Sequence, residues 1–340
     1  YDATASPAFR VYLLRKILEG STRAARGFKA VRQGQKLQLQ DVPTPRILDA
    51  GGNNLPLAFG DQYFLKIFRR LEEVPNPDVE VNRKEDRDLP VPGYLGHFQQ
   101  NGDRKVPFTL ALLQPYVANQ GPAWNYFYDA SARYLERIQA HSKQIKLPKH
   151  PRENGSSLNG DWQGLVGEMP SVRAALLGET VARLHAGLID QKDPDFQPED
   201  FSLHYQRSLY SAWQSQVRST FQKLKKLEEP LPGLEELLDR RKELLSRLRR
   251  IYDHKIYTTK VRIHGDLHLE KVLFTGRSFI FFDFEGDRIR SYSELRIKKT
   301  PVRDLASLIC SLYYAATGPL CNEVGPEKFA DNEWLPWAEA

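Results

Sequence analysis

Asp266 and Asp283 stand 17 residues apart in the stretch Arg262–Gly286, RIHGDLHLEKVLFTGRSFIFFDFEG. The first lies in His264-Gly265-Asp266, directly after an apolar strand pattern at Val261–Ile263. The second opens Asp283-Phe284-Glu285-Gly286. It follows two apolar runs, Val272–Phe274 and Phe279–Phe282, joined by Thr275-Gly276-Arg277-Ser278. Two carboxylates a loop and a hairpin apart suit phosphoryl transfer. One receives the proton of an attacking hydroxyl, and the other binds the Mg²⁺ that bridges the phosphates. A lone aspartate after a strand reads as a turn cap. The ordered pair, each member at a strand end, points to a kinase-type site.

Other elements must hold these loops. Leu57–Phe59 and Tyr63–Phe68 flank Gly60-Asp61, a two-residue turn of the hairpin kind. Phe108–Val117 is a further strand, set apart by Pro90, Pro92 and Gly102-Asp103. Before them, Phe9, Tyr12, Leu13, Ile17 and Leu18 mark a helix, followed by an irregular, basic, Gln-rich stretch. Beyond residue 120 the apolar period becomes helical. Leu209, Trp213, Val217, Phe221 and Leu224 form one face, and Glu228–Gly233 breaks it. Leu234, Leu237, Leu238, Leu244, Leu245, Leu248 and Ile251 carry a second helix, expected to lie antiparallel to the first with Lys and Arg on solvated faces. A strand-rich lobe followed by a helical one is an α+β, bilobal plan.

Composition narrows the class. The chain has 340 residues, 41% hydrophobic and 27% charged, which excludes a disordered, collagenous or disulfide-built protein. Cys310 and Cys321 are too few for a zinc site or a secreted framework, so a reducing, cytoplasmic setting is expected. No apolar run reaches the 18 or so residues of a membrane span, and Val11–Leu14 is too short for a signal peptide. The net charge of +6 comes from basic residues interleaved with acids, without the long basic arm of a nucleic-acid binder. Neither nucleic acid nor membrane is expected as a partner. A chain that begins at Tyr1, with its only Met at Met169, reads as a piece of a longer polypeptide.

Three stretches together resemble one family. HGDLHLEKVL, DFEGDR, SELRIKKT and PVRDLASL are similar to the HGDxHLGQVL, DFEGEP, ERR and SPLRDVA motifs of the maltokinases. These belong to the aminoglycoside-phosphotransferase-like branch of the protein-kinase fold and are often fused behind a trehalose synthase. Tyr63–Val81 (YFLKIFRRLEEVPNPDVEV) resembles their LKLFRRLEEGxNPDLEV, and Leu110–Tyr126 (LALLQPYVANQGPAWNY) their LALLQGFVPNQGDAWxY. The likeness runs over nearly the whole chain.

The resemblance implies ATP and Mg²⁺ as cofactors, maltose as the small-molecule substrate, maltose 1-phosphate as the product feeding glucan metabolism, and a trehalose synthase as a possible partner. It implies an N-terminal cap at 1–50, a small nucleotide-binding lobe at 51–117 and a helical large lobe with the catalytic loop at 118–340. Asp266 becomes the catalytic base. Lys66 becomes the lysine for the α- and β-phosphates, with Glu80 as the partner that orients it. A lysine within an apolar strand is costly to bury without an anion, which supports that role independently. Asn54 belongs to the phosphate-covering turn, and Gln114 and Tyr116 to the hinge whose main chain holds adenine. Asp283 is the metal ligand and Glu285 a second one. His264 braces the catalytic loop and Asp304 pins its backbone. Trp124, Tyr126 and His268 are candidates for the sugar, with packing the alternative, and His185 is expected as a packed helix histidine.

Three departures stand out. Lys271 takes the place of a Gln or Asn metal ligand, leaving the lysine to neutralise a phosphate. The phosphate-covering stretch Asn53–Gly60 carries Pro56, which cannot donate a main-chain bond. The chain stops at Trp334–Ala340, where the family continues with more helices. The first two leave open a weakened, nucleotide-binding module, and a same-fold kinase for another small alcohol is the further alternative.

Overall fold

The computed structural model describes residues 3–20, 27–34, 42–48, 54–84, 88–102, 106–141, 164–227, 233–286, 289–329 and 332–339. Six antiparallel strands form the main sheet: β1 (Phe28–Arg32), β2 (Pro45–Ile47), β3 (Asn54–Phe59), β4 (Tyr63–Phe68), β5 (Gly96–Gln100) and β6 (Phe108–Pro115), in the order β1-β5-β6-β4-β3-β2. Helix α1 (Pro7–Glu19) starts with Pro7 in its first turn and ends on Gly20 at φ 63°, whose N–H bonds Ile17. It buries Leu13, Leu14, Ile17 and Leu18 in the same cluster as Leu57, Phe59, Leu65 and Leu113 of the sheet. Each such side chain contributes roughly 1.5–3 kcal/mol when removed from water.

β1 and β2 come from the stretch read as irregular, and both belong to the sheet of the small lobe. A boundary at residue 50 therefore cuts through that sheet. These strands, FKAVR and PRI, are only five and three residues long, too short for alternation to reveal them. Pro56 lies within β3, not in a turn. Its carbonyl accepts from Leu48 N–H at 3.1 Å, so its main-chain groups face β2. The missing N–H falls at the end of that short pairing and leaves the β3–β4 ladder untouched.

Period two along β4 sends Leu65 and Ile67 into the core against α1. Lys66 and Phe68 therefore face the other side, where Phe68 meets Val79, Tyr94 and Leu112. Helix α2 (Pro77–Asn82) follows, capped by the Asn76 side chain, which accepts from Val79 N–H at 3.3 Å.

The large lobe contains α3 (Ala123–His141), α4 (Glu168–Gly187), α5 (Leu203–Leu224), α6 (Leu234–Asp239), α7 (Arg241–Arg249), α8 (Tyr292–Arg296), α9 (Val302–Val324), α10 (Pro326–Phe329) and α11 (Leu335–Glu339). Two small sheets join it, β7 (Glu199–Asp200) with β8 (Thr259–Lys260), and the hairpin β9 (Val272–Phe274) with β10 (Phe279–Phe281). Its core brings Leu177, Val181 and Leu184 of α4 against Leu267, Leu269, Phe279, Phe281 and Phe284. The second basic helix is split at Arg240, and neither α6 nor α7 buries a residue. Of the face read on α5, only Phe221 is buried. No helix of the described residues is long and apolar enough to cross a membrane.

Candidate active site

Lys66 is 7% exposed, and its Nζ reaches three carboxylates: Asp78 Oδ2 at 2.7 Å, Asp283 Oδ1 at 2.5 Å and Glu285 Oε1 at 2.8 Å. They come from β4, the first turn of α2 and the loop after β10. Asp78 also accepts from the main-chain N–H of Phe284 at 2.5 Å, tying α2 to that loop. Burial alone would lower the Lys66 pKa. The three carboxylates outweigh it and raise the value well above the ordinary one, so the ammonium stays charged.

Glu80 is a correction. It does not orient Lys66; Asp78 is the α2 acid bonded to that lysine. Residues two apart on a helix point some 200° away from each other, so Asp78 and Glu80 cannot share a target. Glu80 instead accepts from Arg296 Nε and Nη2 at 2.9 and 2.8 Å and from Arg262 Nη2 at 3.1 Å. Arg262 is 2% exposed, and burial pushes its guanidinium below the ordinary value despite Glu80. Glu80→Gln would strand that charge, a loss of about 3 kcal/mol by the usual cost of breaking a buried pair. Urea denaturation at neutral pH reads it; an unchanged midpoint would show that the contact stabilises nothing.

Asp283 sits at φ 68°, the one non-glycine residue at positive φ among the described residues. Asp tolerates this conformation better than most side chains, and such strain concentrates at functional sites. Its second oxygen accepts from Lys271 Nζ. Burial would raise the Asp283 pKa, but Lys66 and Lys271 together hold it far below the ordinary range. Glu285 goes the other way. Burial, Asp78 and Asp283 raise it more than the single ammonium of Lys66 lowers it. Asn54 Nδ2 donates to Glu285 Oε1, and Tyr292 Oη donates to Glu285 Oε2 at 3.0 Å. Asn54 therefore begins a strand and touches the carboxylate set; residue 53, the first of the expected phosphate-covering stretch, lies outside the described residues.

The loop of Asp266 is held from behind. Asp304, fully buried, accepts from His264 N–H at 2.8 Å, Gly265 N–H at 2.9 Å and His185 Nε2 at 2.9 Å. Burial would raise its carboxyl, yet the bond from His185 and the charges around it keep the pKa below the ordinary value. Gly265 adopts φ 84°, which L side chains rarely adopt, and so presents its N–H to Asp304. His264 Nε2 donates to Phe282 O at 2.9 Å, its ring against Phe284 at 4.5 Å. That bond joins the Asp266 loop to the Asp283 loop. Asp266 and His268 approach at 3.9 Å, and burial lowers the His268 pKa.

At the expected hinge, some groups already have protein partners. Gln114 is buried and donates from Nε2 to Asn82 Oδ1 at 2.9 Å, and Tyr116 N–H is already bonded to Gln62 O at 3.0 Å. Pro115 has no N–H to offer. Trp124 and Tyr126 are partly buried against the large-lobe core, which includes Leu267 and Leu269. Trp124 stacks on Tyr128 at 6.1 Å, and Tyr126 lies 4.8 Å from Phe274.

Asp78, Asp283 and Glu285 each place an oxygen within 4.8 Å of the others. Hard carboxylate oxygens on one small locus fit Mg²⁺. The set carries three negative charges against the two ammonium groups of Lys66 and Lys271, leaving one negative charge for a cation to meet.

No protein-family model matches the chain. Among solved structures, it is similar to glucosamine kinase in its crystal form A, with TM-score 0.65 and 14% identity over 95% of this chain and 66% of that one. Against glucosamine kinase in complex with glucosamine, ADP and inorganic phosphate, the TM-score is 0.64 and the identity 15%, covering 95% and 68%. The chain thus spans about two thirds of the length of these proteins. Their likeness over nearly all of this chain establishes its fold as the bilobal, protein-kinase-like one.

Proposed function

We propose that the chain is the phosphotransferase portion of an ATP- and Mg²⁺-dependent kinase that phosphorylates the anomeric hydroxyl of maltose. The observation carrying this reading is the bonding of Lys66 to Asp78, Asp283 and Glu285, joined to the Asp266 loop through His264 and Phe282. Lys66 is the group for the nucleotide's phosphates. Asp266 accepts the proton of the attacking hydroxyl, which an ordinary carboxylate can do because the proton leaves late in a loose transition state. Asp78, Asp283 and Glu285 would hold the Mg²⁺. When bound, that ion neutralises charge developing on the phosphates. Maltose as the acceptor rests on the motif resemblance of residues 63–81, 110–126 and 262–286.

Phosphorus NMR of the protein with ATP, Mg²⁺ and maltose tests this; a sugar 1-phosphate resonance is the expected product. Phosphate on another acceptor and never on maltose would overturn the substrate while leaving the kinase reading. A second reading, nucleotide binding without transfer, is favoured by one observation: the Lys271 ammonium lies directly on Asp283.

A further inference from the structure

A cavity of about 490 Å³ lies between α3, the start of α4 and the turn of the β9–β10 hairpin. That is the size of a small-molecule site. Arg133 and Arg137, four apart on one face of α3, line it together with Arg173 of α4. Arg137 Nη1 donates to Leu165 O at 2.8 Å, just before α4. Arg173 holds the hairpin turn, donating from Nη2 to Gly276 O at 2.8 Å and from Nη1 to Arg277 O at 3.3 Å. Its guanidinium lies 5.4 Å from the centre of the Phe274 ring. The two carbonyls take two of its five N–H donors, and its buried Nε has no partner. Arg133 is exposed and makes no side-chain hydrogen bond or ion pair among the described residues. Glu168 is the one acid among the described residues that line the cavity, and no ion pair joins it to Arg133 or Arg173. The rest of the wall is largely apolar. Tyr126 and Phe274 lie 4.8 Å apart, and the exposed Met169 stands at the start of α4.

Three guanidinium groups against one carboxylate leave a surplus of positive charge beside apolar surface. The lysine–carboxylate set is elsewhere. Lys271 and Asp283 flank the open end of the hairpin, whereas the cavity meets its turn, roughly 10 Å away by a strand rise of ~3.3 Å per residue. We infer that this cavity binds a small organic anion with a flat apolar body, its carboxylate bonded by Arg133 and Arg173 and its ring against Tyr126, Phe274 and Met169. The planar fork of arginine matches a carboxylate, and such a group supplies the acceptors that these two side chains lack. A neutral ring would leave the cations unmet, and a bare anion would gain nothing from the apolar wall. The inference does not depend on the kinase reading.

The test is calorimetric titration of the chain with naphthoate, naphthalenemethanol and acetate, each with and without saturating Mg·ADP. Naphthoate should bind at a single site, unaffected by the nucleotide. The neutral alcohol and acetate should each bind about tenfold more weakly or worse. Arg133→Gln should weaken naphthoate about tenfold, the scale of one charge-assisted bond. Its thermal midpoint should not move, because this side chain holds nothing else in place. Arg173→Lys keeps the charge, loses the fork and should weaken naphthoate as well; should that change loosen the hairpin turn, Arg133→Gln still decides. Naphthoate that binds Arg133→Gln as tightly as the parent would overturn the site, as would a parent that does not bind it. The alcohol binding as tightly as naphthoate would reduce the cavity to an apolar cleft, and acetate binding as tightly would remove the role of the rings; either result sinks the proposal. Displacement of naphthoate by Mg·ADP would place it in the nucleotide site and overturn the assignment to this cavity.

Discussion

Asp266→Asn is expected to lower phosphoryl transfer by roughly 10²- to 10⁴-fold, the usual contribution of a positioned general base, while Mg·ATP binds as before. Asn is nearly isosteric and cannot take the hydroxyl proton. The loop should survive the change, because its main chain is fixed by Asp304 and its brace is His264, neither of which needs the Asp266 carboxylate. Nor is Asp266 among the groups bonded to Lys66, so nucleotide affinity should be spared. Steady-state kinetics separate the outcomes: the loss should fall on kcat, with little change in the KM for ATP. A variant that turns over within a few-fold of the parent would remove Asp266 from the reaction. One that loses Mg·ATP binding would place the carboxylate on the nucleotide instead.

Much of this arrangement could be read from residue types and spacing, because catalytic loops are short and their chemistry is local. His264, Asp266, Asp283 and Glu285 lie within 22 consecutive residues, and the hairpin β9–β10 that separates them has clear apolar runs and a turn. The role of Asp304 came instead from the resemblance of PVRDLASL to the family motif. What escaped depends on contacts between distant segments. Asp78 and Glu80 are both acids in the first turn of α2, and only the direction in which that turn faces the sheet separates the one that meets Lys66 from the one that meets two arginines. His185 looked like core packing until α4 and α9 were brought together by their buried faces. The expected hinge raises a related point. The donor that mattered was a main-chain N–H, and no side-chain type at Tyr116 tells that Gln62 already holds it.

Asp283→Asn should abolish most Mg·ATP binding, and the same titration decides what Lys271 does. Asp283 is the carboxylate most strongly held in its ionised form, because two ammonium groups flank it. Its loss removes the charge on which a metal most depends. Lys271 cannot remain where it is once Mg²⁺ arrives. A unit charge about 4 Å from a divalent ion, at an effective dielectric near 20, is repelled by on the order of 8 kcal/mol. Its side chain is a flexible four-carbon stem, partly exposed, at the end of a short turn. It can therefore leave Asp283 and meet a phosphate oxygen, while Asp78, Asp283 and Glu285 take one metal. With Lys271 gone, the three carboxylates and Lys66 carry two net negative charges, which a single Mg²⁺ neutralises, so a second ion would have no charge left to meet. Mg²⁺ titration of ATP binding should then show one metal per site. Lys271→Ala should bind ATP about tenfold more weakly, the scale of one charge-assisted bond. Lys271→Gln should bind the metal more tightly and the phosphates more weakly. The opposite pattern, a parent that fails to bind Mg·ATP and a Lys271→Gln variant that regains it, would mean that this lysine closes the site. That result would replace transfer with nucleotide-free packing as the native condition of the carboxylate set.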